Sequence, residues 1–185
     1  MLSFIKTLTA NPSPARTPPA GIDITVNTAT GTGLTSLSAF DSALLSSGFG
    51  NYNLIILSSV IPPNSRLHLH SSTPPTHLSN YHGDRLYCVR AVAWAEKVGE
   101  EAWAGIGWVV DKETGKGLFV EHHSMEGEED LRRLLDASLD GLVERRGERY
   151  DERGYVVVGA VCEEEGRPAC ALAIAVYETR PWSVN

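Results

Sequence analysis

Asn53-Leu54-Ile55-Ile56-Leu57-Ser58-Ser59-Val60-Ile61-Pro62-Pro63 is an apolar run interrupted by two adjacent hydroxyls and closed by two prolines. Its flanks read as a buried strand, and the prolines end it because proline has no N–H to give a ladder. The serine pair has two uses. Serines near strand ends commonly satisfy nearby backbone groups. If the peptide between them is strained, however, the Ser59 hydroxyl lies close enough to attack the Ser58 carbonyl. The amide then becomes an ester, the ester eliminates, and hydrolysis of the new amino terminus leaves a pyruvoyl ketone.

Upstream of this run, residues 22–26 alternate apolar and polar as a strand does. Thr30-Gly31-Thr32-Gly33 reads as a turn, and Ser36 at the third glycine position excludes a dinucleotide fingerprint. A helix is expected from Ser36 to Ser47, capped by Ser36 or Ser38 and stopped by Gly48, with Leu37, Phe40, Leu44 and Leu45 as its buried stripe. Downstream, Arg66 to His70 alternates again and residues 71–83 read as a loop. Three strands follow at about 86–97, 103–111 and 116–122. A helix runs from Glu128 to Arg146 with Leu131, Leu134, Leu135, Leu139, Leu142 and Val143 inward, acids in its first turn and arginines at its end. Residues 155–161 and 168–177 read as a closing hairpin. Strands that cluster rather than alternate with helices argue for an α+β fold with largely antiparallel sheet.

The 185 residues are enough for one domain with a real core. We expect residues 1–20, rich in Pro, Ser and Thr, to be a flexible arm and residues 21–185 to form the domain. The 23 acidic residues against 16 basic ones give a net charge of −7, which argues against nucleic acid or anionic membrane as partner. No apolar run is long enough to span a bilayer. The start, Met1-Leu2-Ser3-Phe4-Ile5-Lys6, lacks a sustained apolar core, so a cytoplasmic location is expected. Cys88, Cys162 and Cys170 show no Cys-x-x-Cys spacing; Cys162 and Cys170 flank a turn as candidate cross-strand neighbours, expected to be reduced. His68 and His70 share a strand face and His122-His123 lie beside Glu121, a set that could bind zinc, although adjacent histidines point to opposite faces. No Gly-x-Ser-x-Gly elbow is present.

The stretch from Thr35 to Asn53, with Ser58-Ser59-Val60-Ile61-Pro62-Pro63, resembles the pyruvoyl-dependent arginine decarboxylases. Their pattern is a helix carrying Ala-Phe-Asp, here Ala39-Phe40-Asp41, then Gly-x-Gly-Asn-x-Asn-Leu, here Gly48 to Leu54, then Ser-Ser and Pro-Pro. Gly117-Leu118-Phe119-Val120-Glu121 resembles the family's apolar strand ending in a glutamate, and Ala169 to Ala175 its carboxy-terminal strand. Between His68 and Lys116 the likeness is weak.

The resemblance implies a four-layer α-β-β-α sandwich with mostly antiparallel sheets, forming homo-trimers or hexamers. It implies cleavage between Ser58 and Ser59 into a β chain (1–58) and an α chain (59–185), with Ser59 becoming the pyruvoyl group. That self-made ketone takes the substrate amine as a Schiff base, so neither metal nor pyridoxal phosphate is expected. Glu121 would protonate the carbanion left after decarboxylation, acting on that carbon and not on the Ser58–Ser59 peptide. The role requires a carboxyl raised by burial; a solvent-facing glutamate at a strand end is the alternative. Asp41 would hold the guanidinium of L-arginine, giving agmatine and carbon dioxide in polyamine biosynthesis or arginine catabolism; otherwise it is a surface helix acid. Asn53 would polarise the scissile carbonyl; otherwise it is a turn asparagine. The nearest alternatives are decarboxylation of another amino acid such as histidine, and an unprocessed, non-catalytic oligomeric homologue.

Overall fold

A computed structural model of the chain describes residues 21–70 and 82–182. The expected arm over residues 1–20 lies outside the described residues, as does most of the loop expected at 71–83. The elements in chain order are β1 (Asp23–Thr32), α1 (Ser36–Ser47), β2 (Asn53–Ile56), β3 (Val60–Ile61), β4 (Arg66–His70), β5 (Arg85–Ala95), β6 (Glu101–Val110), β7 (Gly117–Ser124), α2 (Glu128–Arg146), β8 (Glu152–Val161) and β9 (Ala169–Arg180). They form a five-stranded sheet in the order β2-β5-β9-β1-β4 and a four-stranded sheet in the order β3-β7-β6-β8. The second sheet is antiparallel throughout, and the first has two parallel pairs, β1 with β4 and β2 with β5.

The continuous apolar run of β9 follows from burial on both faces. Ala169, Ala171, Ala173, Ala175 and Tyr177 face the cluster between the sheets, while Cys170, Leu172, Ile174 and Val176 face the cluster under α1. Alanines on the inner face let β5 and β9 lie close to Ala102, Ala104, Ile106 and Trp108 of β6. Leu131, Leu135 and Leu139 of α2 pack on Val109, Leu118 and Val120 of the second sheet, with Leu134 left 38% exposed.

Four local expectations are corrected. Thr30-Gly31-Thr32 is strand, not turn: Gly31 pairs with Cys170, and a Cβ there would run into the backbone of Ala39 and Ala43. That close approach makes α1 bury its small residues Ala39 and Ala43 with Leu44, while Leu37 and Leu45 stay 77% and 56% exposed. The cap of α1 is Thr35 in a capping box with Ser38, and left-handed Gly48 ends the helix as expected. Strands β8 and β9 are not a hairpin, because they belong to different sheets and the exposed turn between them passes from one sheet to the other. Cys162 and Cys170 therefore lie in different clusters, and all three cysteines are buried and unpaired. No helix among the described residues is long and apolar enough to cross a membrane.

Candidate active site at the sheet crossover

The serine pair is not inside a strand. Strand β2 stops at Ile56 on the first sheet, β3 starts at Val60 on the second, and Ser58-Ser59 is the bridge between them. Nor are the flanks fully buried, since Ile56 is 55% and Val60 49% exposed. Both ends of the bridge are tied down. The Leu57 N–H donates to the Cys88 carbonyl of β5 at 2.8 Å, and the Ser59 carbonyl accepts from the Phe119 N–H of β7 at 2.8 Å. Between these ties Ser59 adopts φ 56°. That left-handed conformation costs a residue with a Cβ about 1–2 kcal/mol. Among the described residues the only other non-glycine at positive φ is Asn64, a residue type that tolerates it far better.

The Ser59 hydroxyl donates to Glu121 Oε1 at 2.6 Å. Glu121 stands within β7, opposite Ile106 of β6, rather than at its end. Its carboxyl is half-buried, and burial pushes it above the ordinary carboxylate value against the downward pull of the Ser59 hydroxyl. This excludes a solvent-facing strand-end glutamate. Tyr177 completes the corner. Its hydroxyl donates to the Val60 carbonyl at 3.2 Å, and its ring meets Phe119 edge-on with centroids 6.1 Å apart. Burial and the nearby Glu121 charge both disfavour its phenolate.

Beside this corner opens a cleft of about 480 Å³. Ser58, Ser59, Glu121 and His122 line one side, and Ser138, Gly141 and Arg146 of α2 line the other. His122 Nε2 shares a 2.7 Å hydrogen bond with Ser138 Oγ, and burial holds its imidazole below the usual histidine value. His68 lies on β4 of the other sheet, hydrogen-bonded to Asp23 at 2.8 Å. Among the described residues no three of His, Cys, Asp and Glu converge as a metal site would require.

Within one chain the structure thus unites Ser58, Ser59 and Glu121 but not the other two candidates. Asp41 is exposed on the outer face of α1, flanked at helical spacing by the exposed Leu37 and Leu45. Asn53 opens β2 at the end remote from Ser58, and its Nδ2 donates to the Gly83 carbonyl at 2.5 Å. Tyr177 and the Phe119 N–H escaped the sequence reading. The signal for Tyr177 is its place in β9, where one polar-tipped residue continues the inward alanine row.

The family model described as pyruvoyl-dependent arginine decarboxylase matches residues 23–181. Three relatives carry that same name. The chain is 32% identical over 148 residues to one from Methanopyrus kandleri, covering 80% of this chain and 91% of that protein. It is 30% identical over 151 residues to one from Thermococcus kodakarensis, covering 82% and 91%. It is 31% identical over 146 residues to one from Methanothermobacter thermautotrophicus, covering 78% and 89%.

Proposed function

Since this chain belongs to the pyruvoyl-dependent arginine decarboxylase family, we propose that it cleaves itself at Ser58–Ser59 and then converts L-arginine to agmatine and carbon dioxide. The observation that carries this reading is Ser59 itself, held left-handed at a tied crossover with its hydroxyl on a half-buried carboxylate. Glu121 accepts the Ser59 proton as Oγ attacks the Ser58 carbonyl, so the strained amide becomes an ester. Loss of the Ser59 Cα proton expels the Ser58 carboxylate and leaves a dehydroalanine. Its imine tautomer hydrolyses to the pyruvoyl ketone and releases ammonia. The Ser59–Glu121 hydrogen bond supports a duty for Glu121 in cleavage, beyond the proton delivery expected from the sequence.

The ketone, once made, takes the substrate's α-amino group and draws in the electron pair that carbon dioxide leaves behind. The residues around it do the rest. The Phe119 N–H, already on the carbonyl of residue 59, stabilises negative charge developing there. Glu121 returns a proton to the substrate α carbon. Its burial favours the protonated form, and cleavage removes the one hydroxyl that opposed this.

Asp41 and Asn53 serve this site from neighbouring copies, in a homo-trimer or hexamer of cleaved units. The exposed stripe Leu37-Asp41-Leu45 with exposed Leu34 supports this, because such a face is costly in water. A Leu37→Glu, Leu45→Glu double variant is expected to run as a monomer in light scattering where the parent runs as a trimer or hexamer; an unchanged mass would remove α1 from the contact. Asp41, buried there against guanidinium, contributes a charge-assisted bond of about 1.5–3 kcal/mol. Asp41→Asn should therefore raise KM for arginine roughly ten- to a hundredfold. Cleavage should be intact and lysine a poor substrate in both forms, since an ammonium lacks the planar fork. An unmoved KM would take Asp41 out of the pocket.

The packing of α1 on one sheet and α2 on the other, around an apolar cluster between the sheets, supports a four-layer α-β-β-α sandwich over residues 21–185. A cytoplasmic site of action accords with three buried, unpaired cysteines. The function is tested by intact mass and by carbon dioxide release from arginine, histidine, lysine, ornithine and aspartate. Two fragments ending and beginning at 58 and 59, with arginine preferred, is the expected result. A single chain, or histidine preferred, would overturn it.

A further inference from the structure

On its downstream side the bridge at Ser58-Ser59 is anchored by a short stretch of backbone pairing. Strand β3 is two residues long, lies at the edge of its sheet, and makes only the pairs Val60 with Leu118 and Ile61 with Gly117. So short an edge strand has little independent stability. Ile61 packs into the apolar cluster between the sheets, and among the described residues one side-chain hydrogen bond from the opposite sheet reaches the strand, that of the Tyr177 hydroxyl on the Val60 carbonyl. The register of β9 slips where Tyr177 stands: Cys88 pairs with Val176 and Tyr87 with Glu178, leaving Tyr177 as the extra residue of a β-bulge. Bulges re-aim side chains, commonly beside active sites. Here the ring is 6% exposed and lies edge-on to Phe119, whose N–H holds the carbonyl of residue 59.

We infer that Tyr177 is the positioning residue for both reactions at residue 59, tying Val60 and Phe119 to the first sheet so that this residue stays fixed against Glu121. The inference rests on the self-cleavage reading above. The tie acts across the sheets. The Leu57 N–H is bonded to β5 of the first sheet, the Ser59 carbonyl and Val60 are bonded to β7 of the second, and Tyr177 fixes the second anchor relative to the first. Without it, the Val60 end can relax, Ser59 leaves its left-handed conformation more easily, and the attack geometry on Ser58 is populated less often. After cleavage the amino side of residue 59 is free, and the tie at Val60 with the Phe119 N–H orients its carbonyl for catalysis.

Tyr177→Phe keeps the ring on Phe119 and removes only the hydroxyl. Relative to the parent, its first-order cleavage rate followed by intact mass should fall about two- to tenfold. In cleaved protein, kcat per titrated pyruvoyl group should fall similarly with KM within about twofold, since the tie holds the reacting group and not the arginine side chain. A general loss of stability would lower the yield of folded protein but not a rate constant per site. Hydrogen exchange at the Phe119 amide should speed up while the melting temperature stays close to the parent's. Cleavage, kcat and Phe119 exchange all equal to the parent's would overturn the inference. If the parent itself stays a single chain, the self-cleavage reading fails, and Phe119 exchange alone then decides the tie: faster in the variant upholds it, unchanged removes it.

Discussion

Ser59→Ala is expected to leave a single chain of 185 residues with no arginine decarboxylase activity. The crossover and its ties survive the change, but no hydroxyl remains to reach the Ser58 carbonyl or to become the ketone. Ser58→Ala should be much milder, because Ser58 contributes its carbonyl rather than its side chain. Ser59→Gly separates strain from chemistry. Glycine adopts φ 56° without penalty, so this variant should also stay uncleaved, yet be more stable than Ser59→Ala by about 1 kcal/mol. Gels report the cleavage and denaturant titration the stability difference. Two fragments from Ser59→Ala would end the pyruvoyl assignment. Equal stability of the alanine and glycine forms would show that the peptide stores no strain.

Glu121→Gln is expected to slow both events by about a hundredfold or more, the usual worth of a general acid or base. Glutamine can still accept the Ser59 hydrogen bond at 2.6 Å but can neither take nor return a proton. The two pH profiles should run in opposite directions. In the precursor the ionised carboxylate is the active form, so cleavage speeds up as pH rises through the Glu121 pKa. In the cleaved protein the protonated carboxyl is the active form, so kcat falls as pH rises through it. Both limbs should lie above the ordinary glutamate value because burial raises this group, and the second should lie higher because the opposing Ser59 hydroxyl is gone. Normal cleavage with slow turnover in Glu121→Gln would confine Glu121 to the decarboxylation step.

What could be read from the chain divides along local and non-local lines. The amphipathic α2, the strands β4 to β7 and the apolar run 169–176 of β9 are legible because each carries its own periodicity and end signals. The crossover is not. Asn53 to Pro63 is uniformly apolar around the serines, and nothing in it says that its halves belong to different sheets. For the same reason residues 155–177 read as a hairpin, since a short turn between two apolar strands has the same composition whether it closes a ladder or joins two sheets. Of the expected α1 stripe Leu44 is buried and Phe40 half-buried, but Gly31 draws the helix in so that Ala39 and Ala43 take the closest contact and Leu37 and Leu45 stay at the surface. At the site, Ser59 and Glu121 meet although they stand 62 residues apart in the chain, so only a family pattern, not proximity in sequence, points to the pair. The Phe119 N–H and the Tyr177 hydroxyl belong to geometry that only the folded register creates.

Strand β1 lies between β9 and β4 in the interior of the first sheet, with α1 clamped onto it at Gly31. The proposed cut after Ser58 would therefore make a noncovalent heterodimer whose smaller member is woven through the larger. The precursor refolds as one molecule, whatever its concentration. The cut protein must find its other half, so its reassembly becomes second-order and fails on dilution. Its working lifetime would then be set by how slowly β1 slips out from between its neighbours rather than by an equilibrium.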